Sequence, residues 1–386
     1  MSFRIILVGV FLGCSVFVSS ANAGVDANAG VVLLRKSCTE GGVALNNCFT
    51  DIPTLFNWIA GTRLPTQAAP LAVQIGPGTF SVGSSGSIGF SDVSLIGSGR
   101  DKTTIGTSSG NALDVHGSQR LHFQNLRVTG GFPAPVYWHG GGSSTWVNVQ
   151  IDGGIYGWSE TNCELTTKAS RPVHKWFSST VTSHGKVAYA SQCSENWFYG
   201  SELIITGAGD GSGIRGFTAH AGNGQETISY PEAHLYGSIV RVIPDADISF
   251  PPPSASGDGV GVVAIAAGQN AVVHVHNTAI DVVGNNMPND VAALAAINGG
   301  MIHGNQNSYN LSSGQGGHIV RIVNEGGHIH APYLWEHIPG TPLISKSGAD
   351  ITTITSGTSD GQPHLIIYSE NCASTWYDSV DKICMP

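Results

Sequence analysis

Glu160 and Glu195 are the carboxylates that first invite a chemical reading of this chain. Each lies beside a cysteine, Cys163 and Cys193, and a bridge between those cysteines would draw the two acids together. Cleavage of a glycosidic bond needs two carboxyl groups about 5–10 Å apart. Asp210 and Arg215 flank the turn at Gly211–Gly213 nearby. Glu160, Glu195, Asp210 and Arg215 therefore form the candidate catalytic set. The competing assignment is two solvated loop acids and a turn-capping Asp–Arg pair.

Aromatic rings gather in the same stretch. Five of the eight Trp fall between residues 138 and 197, which makes this region the place to look for a sugar-binding groove. Flat rings with a polar tip suit sugar faces. Tyr137, Trp138, His139, Tyr156 and Trp158 stand at strand-to-loop transitions and are the candidate substrate-binding residues. Trp146, Trp176 and Trp197 recur at one point of a repeated phrase and are expected inside, as a stacked ladder. A third group is histidine. Three segments align on apolar residues, with Val273, Ile302 and Ile329 inward. Alternation then puts His274, His303 and His330 outward in one column, with His276 and His328 beside it. Imidazoles so placed could hold Zn²⁺ or Cu²⁺. Stacked like residues on a sheet surface are usually packing ladders, so neither a metal nor a cofactor is assigned.

The phrase that positions these residues is an apolar start, a few alternating residues and a Gly-rich turn. It begins at His122, Trp146, Trp176 and Trp197, 21 to 30 residues apart over the last three. Self-similarity on that scale, built of strands, means stacked coils. Ile239–Ile243 and Ile319–Val323 are nearly one string, 80 residues apart, which gives about 27 residues per coil if three coils separate them. Charged residues make up 11% of the chain and Gly 52 of 386, a composition that favours short strands and tight turns over solvated helices. A β-sandwich shares many of these features but predicts turns every 8–12 residues without coil-length repetition. The expected fold is all-β: a single-stranded right-handed parallel β-helix over residues 50–371. A short helix over 50–60, with apolar residues at 52, 55, 56 and 59, is expected to close its N-terminal end.

Residues 1–23 read as an export signal, with Arg4, the apolar run Ile5–Val18 and the small-residue site Ala21-Asn22-Ala23. The expected location is therefore secreted or periplasmic. Residues 24–49 form an N-terminal segment and 372–386 a tail. Six cysteines follow the signal, and nearest-neighbour pairing gives Cys38–Cys48, Cys163–Cys193 and Cys372–Cys384 among 15 possible pairings. A net charge of −9 argues against a nucleic-acid partner. No later apolar run reaches ~18 residues, so no membrane span is expected. The protein is expected to be a monomer.

Pro77-Gly-Thr-Phe80, Val93-Ser-Leu-Ile-Gly-Ser-Gly99 and Thr103-Thr-Ile105 resemble the opening coils of the pectin lyase-like β-helix superfamily, and within it the pectinesterase branch. The resemblance spans about residues 50–210. It implies a polysaccharide partner and, for an enzyme, lyase, glycoside hydrolase or carbohydrate esterase chemistry. The branch's catalytic pattern is not matched. Ser81 and Val82 follow the Pro-Gly-aromatic turn where pectinesterases carry Glu. Pro133-Ala134 stands where they carry Gln-Ala, and Lys186–Tyr189 lacks their second Asp. The expected function is an exported protein that binds, and cleaves or modifies, an extracellular polysaccharide; the alternative is a non-catalytic glycan-binding or adhesive β-helix.

Overall fold

The computed structural model describes residues 26–83, 86–161, 171–207, 214–219, 231–243, 262–268, 271–283, 291–297, 300–312, 319–325 and 328–330, with short strands at 351–354, 365–368, 377–378 and 383–384. Each coil lays one strand in each of three parallel sheets. Leu121–Gln124 lies in the first sheet, Arg127–Gly130 in the second and Val136–His139 in the third; Ser143–Val147 then returns to the first. The sheets hold twelve, nine and nine strands. Each strand pairs in parallel with its counterpart one coil on, as Phe123, Trp146, Trp176 and Phe198 do in succession. The architecture is the expected right-handed parallel β-helix.

Coil length is less regular than the repeat suggests. First-sheet strands begin at Leu121, Ser143, Val173, Glu195, Glu232, Val272 and Met301, giving steps of 22, 30, 22, 37, 40 and 29 residues. The two similar strings at 239 and 319 do not mark one coil position: Ile239–Val242 lies in the second sheet and Ile319–Glu325 in the third. Alternating Ile and Val suits any strand with one face inward, so such a string carries no information about which sheet it joins.

The corner between the first and second sheets is sharp and repeats. From the strand at Leu121 on, each described coil turns there on one left-handed residue: Asn125, Asn148, Ser178, Gly200, Gly237, Asn277 and Gln306, with φ between 48° and 55°. Gly and Asn tolerate this conformation; other L-residues are strained by about 1–2 kcal/mol. The next position carries a ladder of hydroxyls. Ser179 Oγ accepts from the Val149 N–H, Ser201 Oγ from Ser179, and Ser238 Oγ from Ser201, at 3.1 to 3.3 Å. Ser178→Gly is expected to raise stability by about 0.5–1 kcal/mol, read as a higher denaturation midpoint. A lower midpoint would mean that the Ser178 side chain outweighs its backbone strain.

The helix forms at Ile52–Trp58, where the Asp51 carboxylate accepts from the Thr54 N–H at 2.8 Å and Pro53 needs no donor in the first turn. Ile52, Leu55, Phe56 and Ile59 are buried, the expected face. Phe56 meets Phe90 edge-on at 5.3 Å, and Phe49 packs on Trp58. Ahead of the helix, Val31–Leu34 extends the first sheet by pairing with Leu71–Ile75. Cys38 and Cys48 form the expected disulfide. Cys193 is also disulfide-bonded; Cys163 and Cys372 lie outside the described residues, as does the export signal.

Two ladders of rings fill the middle coils. Phe123, Trp146, Trp176 and Phe198 stack on the first-sheet side at 3.9, 4.8 and 5.8 Å. Trp138, Trp158, Tyr189 and Phe217 stack on the third-sheet side at 5.5, 5.4 and 5.7 Å. The ladders meet edge-to-face, with Trp158 near-perpendicular to both Trp146 and Trp176. Offset stacks and perpendicular contacts are the arrangements that ring quadrupoles favour. Beside them lies a buried polar island. Glu160 Oε2 accepts from the backbone N–H groups of Gln192, Cys193 and Ser194 and from the hydroxyls of Ser191 and Ser194. Its Oε1 faces His174 Nε2 at 3.7 Å, and His174 Nδ1 contacts Ser144 Oγ at 2.7 Å.

Candidate functional site

The outward face of the first sheet carries the densest set of functional side chains among the described residues. Strand register fixes three columns along it. The first runs Val173, Glu195, Glu232, Val272, Met301. The second runs Lys175, Trp197, His234, His274, His303, and the third Phe177, Tyr199, Tyr236, His276. Successive rings of the second column stack at 3.8, 4.7 and 5.1 Å, and those of the third at 5.2, 5.6 and 5.3 Å. Neighbours across the columns are 6.2 to 6.4 Å apart. All these planes lie within 18° of parallel. The rings therefore stand on edge. They cover one another's faces and present ring edges rather than ring faces to the outside.

Arg171 orders the border of this array. Its guanidinium reaches Glu195 Oε2 at 2.7 Å and also binds Glu232 Oε2, so one cation bridges carboxylates on adjacent coils. Trp197 Nε1–H donates to Glu195 Oε1 at 2.6 Å. The free oxygen of Glu232 faces His234 Nε2 at 3.1 Å and His274 Nε2 at 3.6 Å. Burial alone would raise the Glu232 carboxyl, but Arg171 and the two imidazoles outweigh it and hold it below the usual carboxylate value. Burial lowers His234, His274 and His276 below the ordinary imidazole value, and His234 adds to the effect on His274. Burial, with Tyr236 alongside, raises the Tyr199 phenol. At neutral pH His234, His274 and His276 are therefore neutral and the Tyr199 phenol is protonated.

The residues singled out from sequence do not come together. Glu160 is fully buried inside the coils, whereas Glu195 lies on the outer wall bound to Arg171. They cannot flank one glycosidic bond. Arg215 sits on a third-sheet strand, between Val187 and Val263; Asp210 lies outside the described residues. Trp138 and Trp158 are fully buried rungs of the interior ladder, with no ring face or edge open to a ligand. Tyr137 and His139 lie on the outer face of the third sheet, where His139 meets Asp114 at 2.7 Å and stacks on His116. Tyr156 begins the next strand of that sheet. Trp146 and Trp176 are interior as expected, but Trp197 is not: Phe198 takes the inward place opposite Trp176, and Trp197 faces out opposite Lys175. His274, His303 and His330 do share one column. The side chains of His328 and His330 lie outside the described residues.

Arg171, Glu232 and His234 were missed. A signal for two of them was present: Glu195-Asn-Trp-Phe-Tyr199, Glu232-Ala-His-Leu-Tyr236 and Val272-Val-His-Val-His276 align without gaps. That alignment extends the histidine column upward to His234 and Trp197.

Sheet order and register define the chain as a single-stranded parallel β-helix with three sheets. No protein-family model and no curated protein matches it. Among solved structures it is similar to a crystal structure of a pectin methylesterase mutant in complex with a hexasaccharide. The two share 12% identity over 75% of this chain and 92% of the other, with a TM-score of 0.42. The fold assignment rests on the strand register. Among the described residues no helix is long and apolar enough to cross a membrane.

Proposed function

We propose that this chain is an exported glycan-binding β-helix that holds an extracellular polysaccharide along the outer face of its first sheet. The observation that carries the reading is the two-column array of parallel rings. Its rings recur about every 5 Å, the distance between adjacent coils. A linear polymer of hydroxyl-bearing units laid along the axis meets a ring edge coil after coil. Partly exposed Trp, Tyr and Arg are also the residues that most often anchor binding surfaces. Binding is favoured over glycosidic cleavage by the state of the border acids. Glu195 and Glu232 are both ion-paired to the one guanidinium of Arg171, whereas an acid–base pair needs one carboxyl group kept protonated. The disulfide at Cys38–Cys48 fits an oxidising compartment.

The test is a panel of pectins, alginates and glycosaminoglycans, scored for retention and separately for reducing ends, unsaturated products and released methanol. Retention of at least one polymer without product is expected. The double variant Trp197→Ala/Tyr236→Ala should weaken that binding at least ~10-fold, equivalent to about 1.4 kcal/mol, with an unchanged circular dichroism spectrum. Product formation would overturn the non-catalytic reading. Binding unaffected by the double variant would remove the ring array from the account.

A further inference from the structure

We propose that Glu232, His234 and His274 form a binding site for a divalent transition-metal ion of the zinc type. The three donor atoms lie within 4.8 Å of one another on adjacent coils. Zinc bonds of 2.0–2.2 Å in a tetrahedron put neighbouring donors about 3.3 Å apart. Glu232 Oε1 lies 3.1 Å from His234 Nε2 and 3.6 Å from His274 Nε2, which brackets that separation.

His234 supplies an independent observation. It is only 8% exposed; its Nδ1 has no hydrogen-bond partner, and its Nε2, 3.1 Å from Glu232 Oε1, is not aligned for a hydrogen bond. A buried imidazole without a partner is costly, and the great majority of buried polar groups have one. Its Nε2 points to the same carboxylate oxygen as His274. A metal ion at that point would replace the poorly aligned contact of Nε2 with a direct bond.

The surroundings suit such an ion. Arg171 binds the other oxygen of Glu232 and fixes the carboxylate's direction, as outer partners of metal ligands do. Glu195, Glu232 and Arg171 together carry a net charge of −1 at the site. The lowered imidazoles are neutral at pH 7, the form that binds metal. Two nitrogens and one carboxylate are a donor set for zinc rather than for calcium or magnesium, which take six or more oxygens. Three protein donors leave a fourth position open to water or to a ligand oxygen. The rings of His234 and His274 now lie 5° from parallel, 4.7 Å apart. Parallel planes cannot both contain one ion, so binding requires the more exposed ring, His274, to tilt out of the stack.

The experiment uses the mature full-length chain, freed of metal with a chelator and without an affinity tag. Zn²⁺ is titrated in competition with a chromogenic chelator, and Co²⁺ is added in parallel to read the visible spectrum. One equivalent of Zn²⁺, a tetrahedral Co²⁺ spectrum and a raised Tm are expected. His274→Ala should weaken Zn²⁺ binding at least 10-fold, while His122→Ala leaves it unchanged. Should His234→Ala fail to fold, His274→Ala decides, because that ring is partly exposed. Absence of a stoichiometric Zn²⁺ equivalent, or His274→Ala binding as tightly as the parent, overturns the site. Glycan retention measured in excess chelator is a separate reading and survives either result.

Discussion

Trp176→Ala is expected to destabilise the protein by about 3–5 kcal/mol, among the largest losses from any single side chain of the core. Trp176 is fully buried and touches four rings: it stacks on Trp146 and Phe198 and meets Trp158 and Tyr189 edge-on. Removing the indole deletes the stacked and perpendicular contacts together and opens a cavity between two coils. The sheets on either side are tied by backbone hydrogen bonds at fixed spacing, so the walls cannot collapse inward to fill it. Denaturant unfolding should show a lower midpoint with an unchanged slope. Trp176→Phe should recover part of the loss, since Phe occupies the same rung at 123 and 198. A Trp176→Ala loss below about 1.5 kcal/mol would mean that the ladder is loosely packed.

Glu160→Ala comes next, at about 3–5 kcal/mol, for an electrostatic reason. The substitution leaves three buried N–H groups, at Gln192, Cys193 and Ser194, without their acceptor and removes the carboxylate that His174 faces. Burial alone would raise the Glu160 carboxyl. His174 and the backbone donors outweigh it and bring the group below its ordinary value of 4.5. A carboxyl lowered in the folded state stabilises above its unfolded value and loses that contribution as pH falls through the folded one. Stability should therefore fall as pH drops from about 5 toward 2, and Glu160→Gln should flatten that part of the profile. Identical acid profiles for parent and Glu160→Gln would show that Glu160 is not charged in the folded protein.

The periodicity, the capping helix, the 38–48 disulfide and the histidine column were all legible in the chain, because each depends on local spacing. The side of the wall that each ring occupies was not. Trp176 and Trp197 open similar phrases, yet a shift of one residue in register sends Trp197 outward and Phe198 inward. Trp138 and Trp158 read as strand-to-loop residues in the sequence, but each lies within a third-sheet strand with its ring in the core. Glu160 looked like a surface acid because a single sequence does not reveal the five donors that converge on it from Ser191–Ser194. Arg171 joins two carboxylates 24 and 61 residues away, a contact that only coil stacking creates.

The central claim is that ligand occupies the first-sheet face, and hydroxyl-radical footprinting of the mature protein with and without its retained polysaccharide tests it most directly. Trp197, Tyr199 and Tyr236 should lose reactivity when the polymer is bound, while Tyr137 and His139 on the third sheet keep theirs. Protection of Tyr137 and His139 with Trp197, Tyr199 and Tyr236 unchanged would place the ligand on the other wall and contradict the account.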